Sequence, residues 1–210
     1  MDLCLVGSEM CIRDSAGKLR EFQQMLEGFN LAVIPQSELA IESAAETGLT
    51  FVENALIKAR HATSIAKRPA IADDSGLEVD YLQGAPGIYS SRFAGDHATD
   101  KDNNHHLLQR LEGVAMAERT ARYHTVIVYM RHALDPTPLI CQAQWEGRIA
   151  LQPLGDGGFG YDPLFIVDAD DRRASELSAT VKNRISHRGQ AMKQLLDALG
   201  NTHLGAIQSS

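Results

Sequence analysis

Asp73, Asp74 and Ser75 end an apolar run and precede Gly76, a placement that carries carboxylates on a rigid strand toward a cleft. Adjacent side chains of an extended chain point to opposite sides, so one of the two aspartates is expected to face a ligand. Asp-Asp-Ser-Gly also has the composition of a solvated turn, and the residues alone leave that reading open. Glu46 supplies a further acid just before Thr47-Gly48. Alone it is a solvated loop glutamate. Paired with Asp74 it offers what Mg²⁺ usually takes from a protein, one or two carboxylates, with water and phosphate oxygens completing the octahedron.

Cations are the complementary requirement, and Lys18, Lys58, Lys182, His187 and Arg188 each fall near a glycine, a helix start or a loop. Lys18 follows Gly17 at a predicted helix N-terminus, where free N–H groups and the dipole favour phosphate; an ordinary surface lysine carries the same signature. Ser186-His187-Arg188-Gly189 has a similar form, with Ser186 as helix cap and His187 and Arg188 as donors. Gly158-Phe159-Gly160-Tyr161-Asp162-Pro163 combines an aromatic face, an acceptor and a bent backbone. A purine could stack there with Asp162 reading ring N–H groups, and a β-turn with two core aromatics fits the same residues. His105 and His106 adjoin each other on a helix, lack the i, i+4 spacing of a metal pair and are read as surface histidines.

The elements that must position these groups alternate in type. Helical spacing of Leu19, Phe22, Met25 and Leu26 predicts a helix from Gly17 to Leu26, and LAVIP at 31–35 reads as a short buried strand. Thr50 with Glu53 three residues on has the capping-box pattern, and it opens a helix to Lys67 with Val52, Ala55, Leu56, Ala59 and Ala62 on one stripe. The runs 69–74 and 77–82 are expected to be two strands, or one strand ending at an acidic corner, about a Ser75-Gly76 turn. Residues 84–95 form a loop with enough apolar side chains to be a packed lid. A helix over Thr99–Leu111, a long hairpin from 121–133 and 138–150, and a last helix from about Ser186 to Leu199 complete the chain.

At 210 residues, with 44% hydrophobic and 22% charged, the chain has material for one core or two joined lobes, which excludes disorder as the main state. No apolar run reaches the roughly 18–20 residues of a membrane span. The 27 acidic against 20 basic residues, net −7, argue against nucleic acid as a partner, and an anionic substrate would need local cations or a metal. Cys4, Cys11 and Cys141 form no CxxC pair, so a reducing cytoplasm is expected, and the first twelve residues lack the basic region of a signal peptide. The class is mixed α/β with a central sheet.

The segments GKLREF (17–22), ETGLTFVENALIKARHA (46–62), AIADDSGLEVDYLQGAPGIYSSRFAG (70–95), GGFGYDPLF (157–165) and SHRGQA (186–191), in this order, resemble the non-canonical purine nucleoside triphosphate pyrophosphatases, the ITPase-like family, over about Gly17–Leu199. The resemblance implies an elongated mixed β-sheet with helices forming two lobes around a nucleotide cleft. It further implies a homodimer and Mg²⁺-dependent hydrolysis of dITP, ITP and XTP to the monophosphate and pyrophosphate. Residue by residue it makes Asp74 the metal-binding catalytic acid and proton acceptor, Glu46 the second metal carboxylate, Ser75 a substrate contact and Lys58 a phosphate contact. Phe159, Gly160, Tyr161 and Asp162 match the base-binding loop, completed by Lys182, His187 and Arg188.

The chemistry agrees. Mg²⁺ with Lys18 and Lys58 would neutralise the phosphate oxygens as water attacks the α-phosphorus, and Asp74 would orient or deprotonate that water. Donors from Lys182, His187 and Arg188 suit a 6-oxo purine; adenine would leave them unpaired, costing about 1–3 kcal/mol per buried group.

The departure is at the start, where relatives carry a hydrophobic strand and Thr-Gly-Asn-x-Gly-Lys. Here Arg13-Asp14-Ser15-Ala16 precede Gly17-Lys18, the only survivors of that phosphate loop, and Asp14 would repel a phosphate. CLVGSEMCIRDS is also a poor pattern for a central strand. Residues 1–15 are therefore expected to be an atypical, foreign segment, with the domain at 16–200 and a polar tail, which need not be ordered, at 201–210. Two other functions stay open: a nucleotide-binding protein whose turnover is impaired by the altered loop, and a hydrolase releasing orthophosphate.

Overall fold

The computed structural model describes residues 4–7, 15–26, 32–169 and 171–203. Its strands are β1 (Cys4–Gly7), β2 (Ala32–Pro35), β3 (Ala70–Val79), β4 (Thr120–Met130), β5 (Leu139–Ile149) and β6 (Phe165–Val167). They form one six-stranded sheet in the order β2-β1-β3-β4-β5-β6. The first three run parallel and the remaining pairings are antiparallel, so the sheet is mixed, as the resemblance implies. The helices are α1 (Ser15–Leu26), α2 (Phe51–Ala66), α3 (Asp100–Arg110), α4 (Ala179–Ile185) and α5 (His187–His203).

Several expectations are corrected. Residues 69–82 hold no Ser75-Gly76 turn: β3 runs unbroken from Ala70 to Val79 and pairs with β4 at every step, Ser75 opposite Thr125 and Gly76 opposite His124. Gly76 serves close approach instead, because a Cβ there would collide with the Gly87 carbonyl and the Ser90 hydroxyl of the overlying loop. Cys4–Gly7 does form a central strand, in register with Cys4 opposite Ala32 and Val6 opposite Ala70, despite its poor pattern. Short parallel strands are held by both neighbours, and pairing overrides a weak local preference. Arg13 and Asp14, which carry the N-terminal departure, lie outside the described residues. Of LAVIP, Ala32–Pro35 is an edge strand, paired only with β1 among the described residues, and residue 31 lies outside them. Its Pro35 fits an edge, where no ladder donor is required. Of the expected tail, 201–203 continue α5 and 204–210 lie outside the described residues.

Other expectations are met. Thr50 caps α2 by accepting from the Glu53 N–H, although Glu53 returns its carboxylate to the Leu49 N–H and the Thr50 hydroxyl. Thr99 and Asp102 form a full capping box on α3. The β4–β5 hairpin pairs from Thr120 opposite Arg148 to Tyr129 opposite Leu139.

Alternation along β3 splits the core. On one face Ala72, with Val126, Val128 and Met130 of β4, packs under Phe51, Ala55 and Ala59 of α2. On the other, Ile71 and its neighbours Ile127 and Cys141 meet Phe22 of α1 and Met192 and Leu195 of α5. Farther along that second face, Leu77, Val79, Tyr123 and Trp145 join Leu107, Tyr161, Phe165 and Leu177 in another cluster. Along this second face Asp73 and Ser75 lie between the two clusters, after Ile71 of one and before Leu77 of the other.

Candidate active site

On the α2 face, Asp74 and Glu46 converge on one ammonium. Lys58 Nζ lies 2.7 Å from Asp74 Oδ1 and 2.7 Å from Glu46 Oε1, with all three side chains largely buried. Asn54, one turn earlier on α2, donates to Asp74 Oδ2 at 3.4 Å, and its own Oδ1 accepts from the Gly48 N–H at 2.9 Å, which ties the Glu46 loop to the helix. Arg92 reaches Glu46 Oε2 at 3.4 Å. Burial pushes the Asp74 carboxyl above its ordinary value and the Glu46 charge adds to this, against the pull of Lys58. Burial also acts on Glu46, yet Lys58 and Arg92 together hold its carboxyl below the usual value.

These residues fit a hard divalent cation: two carboxylates already share a positive partner, and Mg²⁺ needs no more than that from a protein. Among the described residues no group of three or more His, Cys, Asp or Glu side chains comes together in a metal-binding arrangement.

On the opposite face of the same strand Asp73 is buried with Arg188 Nε 3.3 Å and Lys18 Nζ 3.8 Å from its Oδ2, which also accepts from the Ser75 hydroxyl. Its Oδ1 has no partner among the described residues. Arg188 continues to Ser75 Oγ at 2.9 Å and to Glu21 at 3.0 Å, and Glu21 also binds Lys182 at 3.0 Å. Lys182 ends on Asp162 Oδ2 at 2.6 Å. Despite complete burial, Lys18 and Arg188 hold the Asp73 carboxyl low.

The base-binding candidates gather around this chain of charges. Gly158, at φ +75°, has no room for a Cβ beside the Asp162 carboxylate, so the loop folds tightly onto it and the Phe159 N–H donates to Asp162 Oδ2. The half-buried Phe159 ring has Lys182 Nζ 4.7 Å and Arg188 Cζ 5.3 Å from its centroid. Gly160 is held at both ends by α3, its N–H by Asp100 at 2.6 Å and its carbonyl by Asn104 at 2.8 Å. Tyr161 turns inward to donate to the Ser90 carbonyl. Asp162 is filled by protein donors, including Tyr123 Oη at 3.3 Å, so here it positions Lys182.

His187 stacks on Tyr123 at 4.8 Å and 8°, is fully buried and has no hydrogen-bond partner on either ring nitrogen among the described residues. Burial, with the Arg188 and Lys182 charges adding, holds its imidazole neutral, well below the usual histidine value. The α4–α5 junction aims it there, Ser186 Oγ capping α5 through the Gly189 N–H.

One cleft, lined by Lys18, Ser75, Phe159, Lys182, His187 and Arg188 among others, therefore joins the sequence candidates of this face. Asp74, Glu46 and Lys58 sit on the other side of β3, one residue away from Asp73 and Ser75. His105 is exposed and His106 packs edge-on to Phe93, both away from this cleft. Sequence reasoning missed Glu21, Asn54, Arg92 and Tyr123. Glu21 had a signal: it lies three residues after Lys18 on α1, hence on the same helical face.

The arrangement has relatives of known structure and name. The Ham1 family model matches residues 12–198. A dITP/XTP pyrophosphatase of Escherichia coli O157:H7 is 56% identical over 187 residues, 89% of this chain and 95% of that protein. One from Vibrio vulnificus strain YJ016 is 55% identical over 183 residues, 87% of this chain and 92% of that protein. Among solved structures, a HAM1 protein from Coxiella burnetii superposes with a TM-score of 0.86 at 46% identity, covering 95% of this chain and all of that one. The Staphylococcus aureus Ham1 protein gives 0.81 at 34% identity, covering 94% and 98%. Agreement of sequence and fold over nearly the whole length makes this chain a member of the Ham1 family.

Proposed function

We propose that the chain is a nucleoside triphosphate pyrophosphatase that hydrolyses dITP, ITP and XTP to the monophosphate and pyrophosphate with Mg²⁺, removing these nucleotides from the pool. The observation that carries the reading is the two-sided site on β3: the carboxylates of Asp74 and Glu46 gathered around Lys58, and a donor-rich pocket one residue away. The names of the relatives, dITP/XTP pyrophosphatases, support it.

Bound by Glu46 and Asp74, Mg²⁺ would neutralise phosphate oxygens. Asp74 orients the attacking water toward the α-phosphorus and accepts its proton. Lys18 and Lys58 hold phosphate oxygens, and Gly17 places the backbone N–H groups of the α1 start nearby. Ser75 contacts the substrate beside Arg188. Lys182, His187 and Arg188 direct N–H groups to the 6-oxo group, with Phe159 as the stacking face and Gly160, Tyr161 and Asp162 shaping the loop. His187 suits this role because it is neutral, buried and carries one N–H with no partner among the described residues. Adenine would turn a donor toward these donors, at a cost of about 1–3 kcal/mol per buried group.

The catalytic domain is read as 16–200 completed by the β1 strand, which pairs with both β2 and β3, so that 1–15 is atypical in sequence yet contributes to the sheet. The homodimer is carried over from the family resemblance, and the buried free thiol of Cys141 fits a cytoplasmic site. Among the described residues no helix is long and apolar enough to cross a membrane. Incubation with dITP and Mg²⁺ tests the activity: pyrophosphate and dIMP are expected, whereas orthophosphate release, or saturable binding without product, overturns it. Restoring Thr-Gly-Asn at 13–15 is expected to raise the rate.

A further inference from the structure

Lys58 holds both carboxylates that a divalent cation would need. Its ammonium stands 2.7 Å from an oxygen of each, buried, and Arg92 is the second cation on Glu46. Two acids against two bases make the cluster electrically balanced without any added ion. Among the described residues, the oxygens that Lys58 does not hold face longer contacts, Asn54 on Asp74 and Arg92 on Glu46, both at 3.4 Å. A divalent cation binding this pair must therefore displace the ammonium or sit within a few ångströms of it, in a setting too dry to screen the repulsion. A triphosphate resolves the conflict, because its oxygens give the lysine another anionic partner and offset the excess positive charge.

We propose that Lys58 is a built-in counter-ion that keeps Glu46 and Asp74 assembled in the free protein and leaves them for the phosphates when a divalent cation binds. Cation and triphosphate then bind cooperatively, and the nucleotide-free protein holds a cation weakly. This inference rests on the reading of Glu46 and Asp74 as the cation-binding pair, and it adds a positioning role for Lys58 before any chemistry starts.

The test is a titration of nucleotide-free protein with Mn²⁺, read as loss of the free-ion paramagnetic resonance signal. The unaltered chain, Lys58→Met and the double variant Glu46→Gln/Lys58→Met are compared. Lys58→Met is expected to bind Mn²⁺ at least about tenfold more tightly than the unaltered chain, since the competitor is gone and an uncompensated buried carboxylate seeks a cation. The double variant is expected to lose that gain. Equal or weaker binding by folded Lys58→Met overturns the inference. If the two acids unfold Lys58→Met by repulsion, Mn²⁺ is expected to refold it in circular dichroism, and failure to do so overturns the inference as well. Pyrophosphate release from dITP is a separate readout: its absence removes the enzymatic reading and leaves the Mn²⁺ comparison standing.

Discussion

Asp73 and Asp74 are adjacent in one strand, both largely buried, and their carboxyls are driven in opposite directions. Burial raises each. Asp73 then meets Lys18 and Arg188 and is held low, whereas Asp74 shares Lys58 with a second acid, Glu46, and stays high. The difference lies in the cations at hand: Asp73 has Lys18 and Arg188 beside it, the latter shared with Glu21, whereas Asp74 has Lys58 alone and shares it with Glu46. Asp73 is a fixed anion around which base-pocket cations are arranged. Asp74 is poised to exchange partners, as a proton acceptor or cation ligand must be. On the proposed function, these different settings divide the labour, with Asp73 organising its cations on one face of β3 and Asp74 serving the chemistry on the other.

The sharpest way to break this comparison is to neutralise each acid in turn. Asp74→Asn is expected to lower kcat for dITP by about 10²–10⁴ with folding retained, as loss of a positioned general base does, measured by pyrophosphate release. A variant that keeps its rate would remove Asp74 from the chemistry. Asp73→Asn is expected to act on stability instead, by about 3 kcal/mol in urea denaturation, since it strips a buried anion from Arg188 and Lys18. If Asp74→Asn proves the more destabilising of the two, the division between the faces fails.

Lys182→Met sharpens the pocket side. Losing a donor to the 6-oxo group is expected to reduce the ITP over ATP preference in kcat/KM by about 10- to 100-fold, the equivalent of one unsatisfied buried group. An unchanged preference would confine Lys182 to its Asp162 and Glu21 contacts.

The smallest effect concerns pH. His187 is depressed in the folded state, so below the ordinary histidine value near 6.5 the unfolded chain takes up a proton that the folded chain refuses. Stability therefore falls as pH drops below that point, with a contribution of at most about 1.4 kcal/mol per pH unit. In urea titrations between pH 6.5 and 5, His187→Phe is expected to have the shallower dependence.

Much of this was legible in the chain. Thr50 with Glu53 announced α2 and its apolar stripe of Ala55, Ala59 and Ala62, while the burial of Lys58 alongside them came only with the structure. The β4 and β5 runs announced their hairpin. Gly76 was misleading, because a glycine beside Asp-Asp-Ser suits a turn as well as a close approach. Only the loop at 87–90 lying across β3 distinguishes the two. Glu21 went unnoticed for a different reason. Its spacing from Lys18 could place it on the same face of α1, but its partners Lys182 and Arg188 lie more than 160 positions away, and no local pattern foretells a pairing at that separation.

By itself, then, the sequence determined the residue types of the site, the helices that carry Lys18, Lys58 and Arg188, and the alternation sending Asp73 and Asp74 to opposite faces, because those follow from local periodicity. The tertiary structure decided which cation each acid would meet, which cations would be shared, and that His187 would be buried beside two positive charges with neither ring nitrogen partnered among the described residues. Charge partnership and desolvation depend on distance in space, and packing alone sets that distance.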